Sequence, residues 1–243
     1  MTDPGTDPLA RLAALEGVSS AMAAARDGID ALLRDRGLRR TPPEMTAESL
    51  LLGAHASAQL EGSTALLDEV RVGRGGAEAK AALRVNTELL GHAPVLTSSP
   101  LQAWARISTV ACKGVVPDAE LGRPRSPDSA RRLTSLGAMM VRQTSAPALV
   151  VAAVVHADLL AASAFAARNG IVARAVERLV LVARGVDPRS LLVPEAGHLA
   201  LRRQYESNLG AYRDGGLAGV RAWLLYAAEA YAAGAEASPL RRS

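Results

Sequence analysis

Apolar residues recur at three- and four-residue spacing along most of the chain, the period of helices that each bury one face. Asp7 and Pro8 supply a cap and a first turn. The run LARLAALEGVSSAMAAARDGIDALLRDRG then predicts a helix with a stop at Gly37, weakened at Gly17 and Gly28. Thr46 is placed to cap a second helix, AESLLLGAHASAQLEG, ending near Gly62; a short helix is expected over Ser63 to Val72 and another from Ala77 to Leu90, stopped by Gly91. After the connector GHAPVLTSS, the dipeptides Ser99-Pro100 and Ser126-Pro127 each open a helix, the second running to about Gln143. An apolar helix over Ala146 to Ala167 follows, then one from Ile171 to Arg184 with Gly185 as its stop. Two amphipathic helices, Pro194 to Arg213 and Leu217 to Ala237, complete the chain. No stretch alternates with turn signals in the two-residue manner of a strand, so the predicted fold class is all-α.

Ala146 to Ala167 is apolar for about the length of a bilayer crossing, but alanine dominates it and His156 and Asp158 sit near its middle. It therefore reads as a central helix buried in a bundle, with no membrane partner. The opening MTDPGTDPLARL has neither a basic start nor an apolar signal core, and the expected location is cytoplasmic. Turn residues cluster only in short connectors, so one principal domain is expected: a helical region over 1–45, the main helical domain over 46–237, and a tail over 238–243.

The 243 residues are 49% hydrophobic, chiefly alanine, leucine and valine, and only 3% aromatic. Small aliphatic side chains let helices approach closely. The net charge of +4 brings in nucleic acid as a candidate partner, but basic residues are interleaved with acids rather than gathered in a stripe, so none is expected. Cys112 stands alone, which excludes a disulfide within the chain and a cysteine metal site and leaves a buried, inert thiol. His55, His92 and His198 show no ligand spacing with Cys112 or one another, so no metal site is predicted. His156 is expected to be a core histidine held by a backbone carbonyl; Asp158, two residues on, points to another side. Trp104, Trp223, Tyr205, Tyr212, Tyr226 and Tyr231 fall at helical spacings and are expected to pack rather than stack on bases.

The chemistry concentrates where the central helix breaks at Arg168-Asn169-Gly170 and a new helix starts, because free N–H groups at a helix start favour an anion. Residues 163–174, SAFAARNGIVAR, resemble the signature of the Fic family (the Fido fold), His-Pro-Phe-x-(Asp/Glu)-Gly-Asn-Gly-Arg-x-x-Arg. Phe165, Asn169, Gly170 and Arg174 match it. Far upstream, Ser57 to Gly62, SAQLEG, resembles the Ser-x-x-x-Glu-Gly motif of the inhibitory helix in that family. The resemblance implies a Fic-like bundle in which Asn169, Gly170 and Arg174 frame a nucleotide's phosphates. Ser57, Glu61 and Gly62 are then regulatory, with Glu61 reaching Arg174 in place of the γ-phosphate.

Departures from the family pattern are equally informative. Ser163 stands where the family has its histidine base, and a hydroxyl cannot abstract a proton at working pH as imidazole can. Ala167 replaces the carboxylate that holds magnesium, so magnesium is not expected. Arg168 replaces the first glycine and Ile171 the first arginine, so bulk enters the loop and a donor fork leaves it. The interval from Leu121 to Pro127 is too short for the flap hairpin over the family's pocket. The resemblance therefore implies a catalytically degenerate, regulatory or binding module with ATP or another nucleotide as ligand and a protein as partner. The alternative is a nucleotide-dependent transferase or hydrolase in which Arg168 restores the phosphate contacts and a water or Ser163 takes a new role.

Overall fold

The computed structural model describes residues 7–35 and 42–241. Among these are thirteen α-helices and no strand: α1 Pro8–Ala13, α2 Val18–Asp35, α3 Pro43–Leu60, α4 Leu67–Arg71, α5 Ala77–Glu88, α6 Ala93–Ser98, α7 Pro100–Cys112, α8 Pro127–Val141, α9 Ala148–Ala162, α10 Asn169–Ala183, α11 Pro194–Ala200, α12 Arg202–Asp214 and α13 Gly216–Glu236. Short 3-10 turns occupy Leu89–His92, Asp118–Glu120 and Pro239–Arg241.

α9 and α10 form the centre. α9 is apolar on all sides and is buried from Leu149 to Leu159 except at Asp158, as a helix without a polar face must be. α3, α6 and α7 pack on α10, α8 on α9, and α13 on α2, α11 and α12. Trp223 Nε1 donates to the Ala153 carbonyl at 2.8 Å, and the Tyr231 hydroxyl lies 3.3 Å from the Leu149 carbonyl, pinning α13 to α9. α1 and α2 share one buried apolar cluster with this centre, and Pro239 and Leu240, in the sequence-predicted tail, are buried as well. The Asp7 carboxylate caps α1 through the Ala10 N–H. It also accepts from the Ser145 N–H and the Thr144 hydroxyl, tying the start of the described chain to the connector before α9.

Several helix limits differ from those the pattern predicts, each for a local reason. The first predicted helix is two, separated at residues 14–17, where Gly17 takes a positive φ of 78°; the stop at Gly37 lies outside the described residues. α3 starts at Pro43, one turn before Thr46, whose hydroxyl donates instead to the Arg189 carbonyl. Gly91 does not stop a helix: the chain passes through a 3-10 turn into α6, whose first turn accommodates Pro94, inside what reads as a connector. The predicted helix over 194–213 divides at Leu201. α9 ends at Ala162 rather than Ala167, and α10 begins at Asn169 rather than Ile171. No helix among the described residues is long and apolar enough to cross a membrane.

Candidate functional site

The α9–α10 break is a six-residue loop, 163–168, with a left-handed residue at each end: Ser163 at φ 41° and Arg168 at φ 53°. Alanine-rich sequence carries no stop signal here, so the loop is held by partners elsewhere in the fold. The Ala164 carbonyl accepts from the Arg125 N–H at 2.9 Å and the Ala167 carbonyl from the Cys112 thiol at 3.2 Å. Asn169 closes the loop on itself: its Oδ1 accepts from the Phe165 N–H at 2.8 Å and its Nδ2 donates to the Phe165 carbonyl at 2.9 Å. Phe165, the sole phenylalanine of the chain, is buried beneath. The buried polar groups of the loop are thus paired, as low-dielectric surroundings require.

Arg168 occupies the backbone conformation that glycine adopts without strain. Its guanidinium turns away from the start of α10: Nε and Nη2 bond Glu78 at 2.9 and 3.3 Å, and Nη1 donates to the Ala111 carbonyl at 2.7 Å. Ser163 donates its hydroxyl to the Leu160 carbonyl. Burial raises the Cys112 thiol above its ordinary value, in line with an inert role.

Glu61 and Arg174 meet. Arg174 Nη2 lies 2.6 Å from Glu61 Oε1, with the arginine side chain 2% and the glutamate 26% exposed. The other donors of Arg174 are also engaged: Nε bonds Ser57 Oγ at 2.9 Å, Nη2 the Ser57 carbonyl at 3.1 Å, and Nη1 the Tyr205 hydroxyl at 3.3 Å. Burial works against the arginine's charge, but Tyr205 and Glu61 outweigh it and hold its pKa above the usual value. A Cβ placed on Gly170, in the first turn of α10, would overlap Glu61 Oε1. The Glu61 carboxylate therefore sits against the first turn of α10, where an anion is favoured. Beside it lies a cleft of about 450 Å³ lined by Glu61, Glu69 and Glu78 and by the backbone around Gly62 and Gly75 to Ala77. That lining is acidic.

A polar network runs from Arg174 into the core that sequence reading did not anticipate. Tyr205, bonded to Arg174, contacts His156 Nε2 at 3.0 Å, and burial pushes the Tyr205 phenol up to about 12. His156 Nδ1 lies 2.9 Å from Glu177 Oε2, which also takes His198 Nε2 at 2.8 Å; Tyr231 donates to Glu177 Oε1 at 2.9 Å and Tyr226 meets His198 Nδ1 at 2.7 Å. Burial lowers the His156 pKa against the pull of Glu177. Burial also opposes the Glu177 charge, but the two imidazoles beside it win and hold it below the ordinary carboxylate range. His156 is thus a core histidine bonded to side chains rather than to a backbone carbonyl, and His198, without ligand spacing in sequence, stands next to it. Asp158 points elsewhere, accepting from the Tyr212 hydroxyl at 3.1 Å. The signal was on α10 itself: Arg174, Glu177 and Arg178 lie three and four residues apart on an otherwise apolar helix, and all are buried. Arg178 is paired to Glu195 at 2.6 Å and bonded to Ser49 and Ser190, joining α3, α10 and α11.

No family model matches the sequence, and no curated protein matches it. Solved structures do resemble it. A Fic family protein from Desulfovibrio desulfuricans G20 aligns with a TM-score of 0.74 at 17% identity, covering 89% of this chain and 74% of that one. A fragment of Fic-1 from C. elegans aligns at 0.70 and 15%, covering 90% and 71%. A variant of that fragment with one glutamate changed to glycine aligns at 0.67 and 18%, with the same coverage. The chain has the Fic fold.

Proposed function

We propose that this Fic-fold protein does not transfer AMP and serves as a binding or regulatory module, its anion frame kept shut by its own Glu61. The observation that carries this reading is the state of Arg174, whose guanidinium nitrogens are all bonded within the protein, to Ser57, Tyr205 and Glu61. Around it, Ser163 offers no base and Ala167 no metal ligand. The transferase alternative needs Arg168 on the phosphates, and that guanidinium would first have to leave Glu78 and the Ala111 carbonyl.

Melting curves with ATP, ADP and AMP, with and without magnesium, test the reading, because a ligand that binds only the folded state raises its stability. The wild-type chain should not shift. Glu61→Gly should gain a shift with ATP that magnesium does not enlarge. Transfer of label from ATP to lysate proteins by Glu61→Gly would overturn the proposal.

A further inference from the structure

We propose that His156, Glu177 and His198 form a binding site for a divalent transition metal of the zinc class, which would staple α9, α10 and α11 together in the core. The inference stands independently of the anion frame. His156 Nδ1, Glu177 Oε2 and His198 Nε2 all lie within 4.8 Å of one another, and all three side chains are fully buried.

The orientation of each group is what points to an ion. A metal-ligating imidazole is characteristically held by a second partner on its other nitrogen. Here the outward nitrogen of each ring rests on a tyrosine hydroxyl, His156 Nε2 on Tyr205 and His198 Nδ1 on Tyr226, and the outward oxygen of Glu177 takes the Tyr231 hydroxyl. The inward atoms are left for the centre. Among them, His156 Nδ1 is buried without an aligned hydrogen bond, although Glu177 Oε2 is only 2.9 Å away. A buried polar atom in that condition calls for an explanation, and a cation between the three groups supplies one.

The donor set names the class. Two imidazoles and one carboxylate suit zinc, iron, nickel or copper, whereas magnesium and calcium favour oxygen alone. The tyrosine clamps also make the change chemically easy. A hydroxyl accepts as readily as it donates, so a ring in its neutral form can carry its proton outward and offer a lone pair inward. Zinc–nitrogen bonds of about 2.0–2.1 Å place ligand atoms about 3.3 Å apart. The carboxylate must therefore recede by a few tenths of an ångström from its present 2.8 and 2.9 Å contacts, and the two ring nitrogens, within 4.8 Å of each other, must draw together by as much as about 1.5 Å. Because the three side chains are sealed from solvent, loading belongs to folding rather than to the finished protein.

Refolding from denaturant with Co²⁺ or Zn²⁺, followed by passage over a chelating resin, tests this. The expected result is about one equivalent of retained metal per chain and visible absorption bands from the bound cobalt. At a hundredfold excess over the dissociation constant, the melting midpoint should also rise on the order of 5–10 °C above metal-free protein. Glu177→Gln and His198→Gln should each lose the equivalent and the bands. Refolded wild type that retains no metal would overturn the proposal. So would metal that persists in His156→Gln and His198→Gln, which would mark an adventitious ion at His55 or His92. If those variants fail to fold, stoichiometry and cobalt spectrum of the wild type still decide.

Discussion

Glu61 and Gly170 are fitted to each other atom by atom, which makes the Glu61–Arg174 pair open to a stability measurement that leaves activity aside. Gly170→Ala should cost about 2 kcal/mol in a urea titration, since the new methyl enters the space of the Glu61 carboxylate and displaces it from Arg174. Glu61→Gly alone should cost about 1–3 kcal/mol, less than a sealed pair, because the glutamate is 26% exposed and Arg174 keeps Ser57 and Tyr205. In the Glu61→Gly background the alanine should cost much less, its remaining close neighbour being Arg174 Nη1 at 3.0 Å, and the two changes should be strongly non-additive. Additive costs would show that the carboxylate does not sit where it is described. At this scale the sequence was informative: both halves of the pair were legible from two motifs more than a hundred residues apart. The partners of Arg168 were not, because nothing in the spelling of residues 163–174 connects that arginine to Glu78.

Among the elements, long periodic helices were readable and their ends were not. α2, α3, α5, α8, α10 and α13 lie where apolar spacing puts them. The end of α9 was misplaced by five residues because an alanine run has no cap, and bonds from Arg125, Cys112 and Asn169 terminate it instead. The connector before α9 offers a pH test. Burial pushes the Asp7 carboxyl up, but the N–H groups of Ser145 and Ala10 and the Thr144 hydroxyl prevail and lower its pKa below 3.8. A carboxylate depressed in the folded state contributes stability above its unfolded value and loses it as pH falls below. Asp7→Asn should therefore melt below wild type at pH 7, and the gap should shrink as pH drops through 3.8. A gap that is constant with pH would remove the clamp from the account.

For the molecule as a whole, the fold was legible and the interior chemistry only partly so. Helical period, capping prolines and the signature's frame were enough to give an all-α Fic-like bundle. His156, Glu177, His198 and Tyr205 come from four different helices, and a sequence cannot show convergence of that kind without a backbone to place it. Ile171, where the family has an arginine, is 1% exposed, so Ile171→Arg would bury an unpaired charge. Introducing the four residues that the Fic signature has at these positions should together lower stability by about 3 kcal/mol or more. A melting midpoint equal to wild type for Ser163→His, Ala167→Asp, Arg168→Gly and Ile171→Arg combined would contradict this.

The two partners of Glu177 that lie beyond it in sequence, His198 and Tyr231, belong to α11 and α13. A carboxylate gives up its hydration only when replacement donors arrive. During synthesis, then, a ribosome-bound chain that ends before α13 must leave Glu177 wet and α9 partly uncovered. Completion of the interior waits for the last long helix to emerge from the exit tunnel.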